Sequence, residues 1–286
     1  MRIDGRTRFI AHLGFPTESF KAPLIYNPWF DRHGVNAVVV PMGVQTADYT
    51  AFMKALRTAA NFHGALVTMP HKISTCALVD QLSTRAKVAG ACNAVLKLPD
   101  DQLLGDQFDG AGFVAGLQRK GQAVAGKRVL LVGCGGVGSA IAASLAEAGI
   151  AVLNLYDPLH EAALSLQHRL HTHFPLLETV VSSNDPFGQD IVINASPLGM
   201  KPGDALPVDV QRLTPDSFVG EVVLTQEITP FLQAALDKGC RVQTGSDMLF
   251  EMIPLYLAFF EFGQASVDEL RLLYEKSQHP NNGKLD

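Results

Sequence analysis

The glycines of segment 127–149, KRVLLVGCGGVGSAIAASLAEAG, have the spacing of a phosphate-binding loop. They run Gly133-x-Gly135-x-x-Gly138 between an apolar run and a predicted helix over 139–148. Glycines allow the backbone to approach a pyrophosphate, and the N-terminus of the next helix offers free N–H groups and a partial positive charge. The spacing therefore predicts a dinucleotide site, and the alternative is a tight turn that binds nothing.

A carboxylate follows at the place where the ribose of a dinucleotide is expected. Asp157 ends a second predicted strand, 151–156, and lies 24 residues past Gly133. A carboxylate there accepts hydrogen bonds from a free ribose 2′-hydroxyl and repels a 2′-phosphate. We therefore expect NAD to be favoured over NADP, unless Asp157 only caps the next helix, with Pro158 at its first position.

Lys72 and Asp109 are the residues that could move a proton, and each follows a predicted strand. Hydride transfer to or from a nicotinamide requires a group that donates or accepts the proton of the alcohol oxygen. A lysine ammonium can donate to a developing alkoxide, a carboxylate can orient it, and the Asn93 amide can hold a hydroxyl. Judged by position alone, simpler interpretations are favoured: Lys72 as a solvated lysine, Asp109 as a helix N-cap and Asn93 as a turn or strand-end residue.

Predicted strands and helices alternate along the chain. Apolar runs predict strands over 8–13, 36–41, 64–69, 92–97, 102–108, 129–132, 151–156, 190–195 and 218–224. Periodic apolar residues predict helices over 23–32, 46–62, 110–118, 139–148, 161–173, 229–238, 247–260 and 270–276. The alternation indicates an α/β protein with two α/β domains, the second of which contains a doubly wound, Rossmann-type glycine unit.

The bulk composition argues against several other classes of protein. The 286 residues carry a net charge of −5 without a basic run, so nucleic acid is not an expected partner. No apolar run reaches about 18 residues, so no membrane span is expected. Scattered cysteines without a C-x-x-C pair fit a reduced, cytoplasmic chain. His168, His171 and His173 have loose metal-like spacing but lack nearby carboxylates or cysteines, so no metal site is expected.

Six short motifs are spread along most of the chain. In order they are VTMPHK over 67–72, GACNAV over 90–95, GDQFDGAGF over 105–113, the glycine loop, NASPLGM over 194–200, and GxxML from Gly245. In content and order, these motifs resemble those of the shikimate/quinate dehydrogenase family.

The resemblance implies an NAD(P)-dependent oxidoreductase that interconverts a ring hydroxyl and a ketone on a small cyclic hydroxy acid, as in aromatic amino acid biosynthesis. It implies two domains around a cleft: residues 1–105, completed by 247–286, would bind substrate, and 106–246 would bind the dinucleotide. Lys72 and Asp109 would form the catalytic pair, with Thr68 and Asn93 on the substrate. The residues assigned to the dinucleotide are Gly133, Gly135, Gly136, Val137, Gly138, Asp157, Asn194, Ser196, Leu198, Met200 and Gly245.

Several positions depart from the family pattern, mainly where the substrate would bind. The family's Ser-x-Ser-Pro, which holds the substrate carboxylate, reads FKAP over 20–23, so both hydroxyls are absent. Ser19 lies one residue earlier, and Lys21 could pair with a carboxylate, although a solvated lysine is at least as well supported. The other departures are LVT over 66–68 for Asn-Val-Thr, QFD over 107–109 for Asn-Thr-Asp, EVVL over 221–224 for Asp-x-Val-Tyr, and Met252 for a glutamine. These changes predict weak or absent activity on shikimate and quinate themselves.

Three interpretations of the activity remain at this point. The first is a shikimate dehydrogenase-like enzyme, with Lys21 and Met252 among its substrate contacts. The second is the same chemistry on a different, less polar substrate. The third is a dinucleotide-binding sensor without turnover, against which the presence of both Lys72 and Asp109 argues. We expect a small-molecule substrate, a monomer or homodimer, and neither nucleic acid nor membrane as a partner.

Overall fold

The computed structural model describes residues 3–18 and 20–278, so Ser19 and the tail from His279 lie outside the described residues. The chain divides into two compact units. The first comprises the described parts of Met1–Ser83, Ala91–Asp106 and Ile253–Asp286, and the second comprises Thr84–Gly90 and Gln107–Met252. Within the described residues each unit has a six-stranded sheet, so the predicted α/β class is confirmed.

The strands and helices have the following bounds. The strands are β1 (Arg8–Gly14), β2 (Ala37–Gly43), β3 (Phe62–Val67), β4 (Gln81–Leu82), β5 (Ala94–Lys97), β6 (Leu103–Asp106), β7 (Arg128–Val132), β8 (Val152–Tyr156), β9 (Glu178–Val181), β10 (Ile191–Asn194), β11 (Phe218–Glu221) and β12 (Arg241–Gln243). The helices are α1 (Ala22–Arg32), α2 (Thr46–Arg57), α3 (Lys72–Thr75), α4 (Thr84–Ala89), α5 (Asp109–Arg119), α6 (Gly136–Glu147), α7 (His160–His173), α8 (Pro230–Asp237), α9 (Gly245–Phe259) and α10 (Val267–Gln278). A short 3₁₀ turn covers Val210–Arg212.

The sheet of the first unit has the strand order β2-β1-β3-β5-β6-β4. β1 runs parallel to β2 and β3, whereas β5 is antiparallel to both of its neighbours. Apolar side chains of β1, β3 and α2 pack together on one face of this sheet, among them Leu13, Val67, Tyr49 and Met53. This packing fixes the carboxyl ends of β1 and β3, where the first predicted substrate residues lie.

The sheet of the second unit is parallel throughout, in the order β12-β11-β10-β7-β8-β9. The chain leaves β7 toward β8 and β9 on one side and returns to β10, β11 and β12 on the other. The carboxyl ends of β7 and β10 therefore flank a topological switch point, where open α/β sheets bind ligands. This is the doubly wound arrangement predicted for the glycine unit.

The helix α4 belongs to the second unit although the residues on both sides of it belong to the first. It packs against α6 and α7. The Arg169 Nε on α7 donates to the Val88 carbonyl at 2.6 Å, and the Val88 side chain is buried in the second core. Sequence periodicity does not predict α4, because six residues are too few to show an apolar face.

Two predicted elements end earlier than their apolar patterns indicate. The helix predicted over 46–62 ends at Arg57, because the chain turns there to join the sheet: the Phe9 N–H donates to the Asn61 carbonyl at 3.0 Å. The strand predicted over 64–69 ends at Val67. The prediction also lacks the short elements β4, α3, α4, β9 and β12.

Among the described residues, no helix is both long enough and apolar enough to cross a membrane. In the same residues, no group of three or more His, Cys, Asp or Glu side chains is arranged to hold a metal ion.

Candidate functional site

The four glycines of the loop after β7 serve two different purposes. Gly133 has φ +100°, and a Cβ there would lie 2.8 Å from the Ala195 carbonyl. A Cβ on Gly138 would overlap the Gly133 oxygen, so these two glycines permit close packing of the chain itself. Gly135 and Gly136 are exposed, and nothing lies within 4 Å of the position where their Cβ atoms would be. The space in front of these two backbones is therefore open to a ligand.

The helix α6 begins directly behind this open space, because Gly135 is its N-cap residue. The first N–H groups of a helix have no acceptor inside the helix, and a glycine brings no side chain to cap them. The N–H groups of Gly136 and Val137 are thus at the positive end of the helix dipole. A bare helix N-terminus behind two glycines fits the pyrophosphate of a dinucleotide.

Asp157 connects the end of β8 to the glycine loop. Its Oδ2 accepts from the Cys134 N–H at 2.8 Å, and its Oδ1 accepts from the Leu159 N–H at 2.8 Å. The N-cap residue of α7 is Leu159, so the interpretation of Asp157 as a helix cap is wrong. Each carboxylate oxygen has a second lone pair, which leaves acceptors for a ribose hydroxyl beside the loop.

The loop after β10 is wound around the buried side chain of Asn194. Its Nδ2 donates to the Leu198 carbonyl at 2.9 Å, and its Oδ1 accepts from the Ser196 N–H at 3.1 Å and the Ser196 hydroxyl at 2.6 Å. Three of the residues assigned to the dinucleotide are therefore held together by one amide. Met200, further along this loop, is half exposed.

Glu221 supports Asn194 from the neighbouring strand and was singled out in the sequence only as a departure from a motif. The two residues are paired in register, and the Asn194 Nδ2 lies 3.5 Å from the Glu221 Oε2. Glu221 is fully buried, and this burial raises the pKa of its carboxyl. Gly245 belongs to the same unit. A Cβ on Gly245 would overlap the Val223 carbonyl, so this glycine permits close packing of the backbone.

Lys72 is the first residue of α3, just past the turn that follows β3. The turn is fixed by His71, which is fully buried and stacked on the Tyr49 ring with centroids 3.8 Å apart. The His71 Nε2 also lies 2.7 Å from the Val44 carbonyl. The predicted packing and local hydrogen bond of His71 are confirmed.

Thr68 directly follows β3, and Asn93 directly precedes the neighbouring strand β5. The Asn93 carbonyl accepts from the Val67 N–H at 2.8 Å, and the Asn93 N–H donates to the Asp106 carbonyl at 3.0 Å. The next residue back, Cys92, donates its N–H to the Lys72 carbonyl at 2.8 Å. Backbone hydrogen bonds thus bring the predicted residues of the first unit to one edge of its sheet, while the Asn93 side chain is buried.

Asp109 is the first residue of α5 in the second unit. Its side chain is buried, and its N–H donates to the Gln107 Oε1 at 2.9 Å. The N-cap residue is Phe108, so the interpretation of Asp109 as a helix N-cap is wrong. A carboxylate in the first turn of a helix is stabilised by the helix dipole.

Phe20 stands where the family has the first serine of its carboxylate-binding motif. Its ring stacks on His12 with centroids 4.0 Å apart. A Cβ on Gly14 would lie 2.8 Å from the Phe20 Cζ and would also press on the Thr68 methyl group, so Phe20 lies beside Thr68. Burial lowers the pKa of His12 to about 4, so its ring is neutral at pH 7. Phe20 and the neutral His12 therefore place two uncharged rings here.

Lys21 and Met252, the other two predicted substrate residues, have contacts of their own within their units. The Lys21 ammonium is 5.9 Å from the centre of the Tyr274 ring on α10, in a cation–π contact. Met252 is buried, and its side chain occupies the space that a Cβ on Gly112 of α5 would need. Met252 is therefore a packing residue of the second unit in this structure.

Comparison with known proteins gives the same family as the motifs. Residues 13–95 match the family described as "Shikimate dehydrogenase substrate binding domain". The shikimate dehydrogenase (NADP(+)) of Rubrobacter xylanophilus is 35% identical over 255 residues, which cover 87% of this chain and 88% of that protein.

Solved structures share the whole fold. The 5-ketofructose reductase of Gluconobacter sp. strain CHM43 has a TM-score of 0.85 at 25% identity, over 96% of this chain and 99% of that one. The shikimate 5-dehydrogenase of Listeria monocytogenes, solved with shikimate and NAD, has a TM-score of 0.88 over 96% and 98% of the two chains. At 24% identity the second likeness concerns the fold alone.

Proposed function

Since the chain belongs to the shikimate dehydrogenase family, we propose that Lys72 and Asp109 move the proton that accompanies hydride transfer. The chain is an NAD(P)-dependent oxidoreductase that interconverts a ring hydroxyl and a ketone on a small cyclic hydroxy acid of the shikimate or quinate type. One observation in the structure supports the use of a dinucleotide in this reaction: the open space before Gly135 and Gly136 at the bare N-terminus of α6.

The dinucleotide supplies the hydride acceptor or donor when it is bound. The N–H groups of the glycine loop would hold its pyrophosphate, and Asp157 would accept from a ribose hydroxyl. Asn194, with Ser196 and Leu198, would shape the wall beside it. We propose that residues 106–246 bind this cofactor and that residues 1–105, completed by 247–286, bind the substrate. We further propose that the enzyme works in the cytoplasm as a monomer or homodimer.

The proton is handled by side chains of this chain. In the direction of reduction, the Lys72 ammonium donates a proton to the oxygen that gains negative charge, and in oxidation the neutral amine accepts it. Asp109 would act with Lys72 in exchanging this proton. Asn93 and Thr68 would orient the hydroxyls of the ring. Both Lys72 and Asp109 are present, which supports turnover over a purely sensing role.

We also propose that NAD is the preferred cofactor, although the Rubrobacter relative is named for NADP(+). The Asp157 carboxylate stands at the end of β8 and is fixed by two backbone N–H groups, each at 2.8 Å. It cannot turn away from a cofactor without losing those bonds. A fixed carboxylate favours a ribose with a free 2′-hydroxyl over one with a 2′-phosphate.

A second candidate function is the same reaction on a less polar substrate. Phe20 replaces a hydroxyl with an apolar ring, and the neutral His12 behind it provides no charge for a carboxylate. The structurally similar 5-ketofructose reductase bears the name of a ketone without a carboxyl group. This candidate keeps Lys72 and Asp109 in the same roles.

The test is the absorbance of reduced nicotinamide with a panel of substrates. Shikimate, quinate, neutral cyclic alcohols and sugar ketones are each assayed with NAD and with NADP, and dinucleotide binding is measured separately. Turnover of at least one member, with tighter binding of NAD than of NADP, is the expected result. Dinucleotide binding without turnover of any member would support a sensor instead, and an absence of dinucleotide binding would overturn the proposal.

A further inference from the structure

Two thiols of the first unit face each other beside Lys72. The Sγ atoms of Cys76 and Cys92 are 3.5 Å apart, although the residues are 16 positions apart in the chain. Both contact the same backbone group: the Cys92 N–H donates to the Lys72 carbonyl at 2.8 Å, and the Cys76 Sγ lies 3.9 Å from that oxygen. Cys92 also directly precedes Asn93. We call Cys76 and Cys92 the thiol pair.

The other two cysteines are placed differently. The Cys134 thiol donates to the Tyr156 carbonyl and the Cys240 thiol donates to the Thr214 carbonyl. All four cysteines carry free thiols. In the thiol pair, the two sulfur atoms are in contact with each other, and both cysteines contact the backbone of Lys72, a proposed catalytic residue.

The two members of the thiol pair differ in reactivity. A hydrogen bond from the Cys92 thiol lowers the pKa of Cys76, and the same bond, together with burial, raises the pKa of Cys92. Cys76 is only half buried, whereas Cys92 is fully buried. The thiolate is the nucleophile in disulfide exchange, so Cys76 is the member that an external reagent would meet first.

We propose that Cys76 and Cys92 form a reversible disulfide that slows the reaction at Lys72. The oxidant is a low-molecular-weight disulfide such as glutathione disulfide. The Cys76 thiolate attacks one of its sulfurs, forming a mixed disulfide and releasing one glutathione. The Cys92 thiolate then attacks the Cys76 sulfur and releases the second glutathione. The two thiols are oxidised, the glutathione disulfide is reduced to two glutathiones, and the two thiol protons pass to them.

Forming the bond moves the backbone at the proposed substrate site. The sulfur atoms must approach from 3.5 Å to about 2.05 Å. Because α3 begins with Lys72 and Cys76 directly follows its last residue, that approach is transmitted to Lys72 on one side and to Asn93 on the other. A displacement of roughly 1 Å at reacting groups can cost about 100-fold in rate. The glycine loop belongs to the second unit, so dinucleotide affinity is expected to stay unchanged.

The expected effect on rate depends on the proposed role of Lys72, whereas formation of the disulfide does not. The linkage and the turnover are therefore measured on the same sample. The full chain is incubated with glutathione disulfide, and peptide mapping identifies the linked cysteines while turnover and dinucleotide affinity are measured. We expect a Cys76–Cys92 linkage, turnover reduced by about tenfold to 100-fold, unchanged dinucleotide affinity, and full recovery with dithiothreitol.

Two variants separate this outcome from general thiol damage. Cys76→Ser removes the attacking thiol and is expected to keep full turnover in the oxidant. Cys240→Ser, the matched control, retains a donor for the Thr214 carbonyl and is expected to remain as sensitive as the parent. A mixed disulfide without the linkage, or a linkage that leaves turnover unchanged, would overturn the proposal. If the reduced protein shows no turnover on any substrate, the proposed function fails while the mapping still decides the linkage.

Discussion

The glycine loop over 133–138 and the segment over 20–23 both correspond to ligand-binding motifs of the family, but they present different groups. The glycine loop presents backbone N–H groups, and its open space depends on the absence of side chains at Gly135 and Gly136. The segment over 20–23 would present side chains, and here it presents Phe20 and Ala22 in place of two hydroxyls. A site made by the backbone is fixed by the fold, whereas a site made by side chains changes with each substitution.

Because of this difference, we assign cofactor binding and substrate choice to different units. The second unit keeps every glycine that the dinucleotide motif requires, so cofactor binding follows from its fold. The first unit keeps Thr68, Lys72 and Asn93 but places an aromatic ring beside Thr68. We therefore propose that residues matching the family set the reaction type and that residues departing from it set the choice of substrate.

The largest effect is expected from removing the proposed proton-transfer groups. Lys72→Ala and Asp109→Asn should each reduce kcat by about 10²–10⁴-fold, because proton transfer contributes that much to rate. Dinucleotide affinity, measured by fluorescence titration, should change little. Lys54→Ala removes an exposed lysine of α2 and serves as the control. Near-parent turnover in either variant would remove that residue from the mechanism.

A side chain placed in the glycine loop should weaken dinucleotide binding without unfolding the second unit. Gly135→Val fills open space that the pyrophosphate would occupy, so the Kd for dinucleotide should rise by about 10- to 100-fold through lost hydrogen bonds to a charged group. The Tm should stay the same, because nothing lies within 4 Å of the new Cβ. Gly5→Val, also in open space, is the matched control. An unchanged Kd would place the dinucleotide elsewhere.

A smaller effect is expected from Asp157→Ser, which sharpens the cofactor preference. The serine hydroxyl still accepts from a backbone N–H, but it no longer repels a 2′-phosphate. The ratio of Kd values for NADP and NAD should fall by about tenfold, the equivalent of one hydrogen bond to a charged group. Asp209→Ser, which changes an aspartate that caps the 3₁₀ turn, is the control. Tighter binding of NADP than of NAD by the parent would contradict the proposed preference.

Much of the fold can be predicted from the sequence, because long apolar runs and periodic helices mark their own positions. The strands β7 and β8, the glycine loop and α6 follow from local pattern alone. The end of α2 cannot be predicted from local pattern, because the residues after Arg57 lead into β3, which pairs with the distant strand β1. The place of α4 also depends on distant partners, above all Arg169 on α7.

The candidate site divides in the same way. The phosphate-binding loop can be predicted because the spacing of its glycines indicates a backbone that a ligand can approach. The stacking of His12 on Phe20, the support of Asn194 by Glu221, and the thiol pair are not predictable from spacing. Each joins residues that only the folded chain brings together, and neither member of such a pair indicates its partner in the sequence.

We propose that the chain retains the family's chemistry but binds a substrate carboxylate more weakly, because Phe20 and Ala22 replace two serines. This proposal is tested most directly by steady-state kinetics with shikimate and quinate, comparing the parent with the double variant Phe20→Ser/Ala22→Ser. The parent should show a kcat/KM below about 10⁴ M⁻¹s⁻¹, the lower end of ordinary enzymes. The double variant should raise it by about 10- to 100-fold at unchanged dinucleotide affinity. A parent value at or above about 10⁴ M⁻¹s⁻¹ on shikimate would contradict the account.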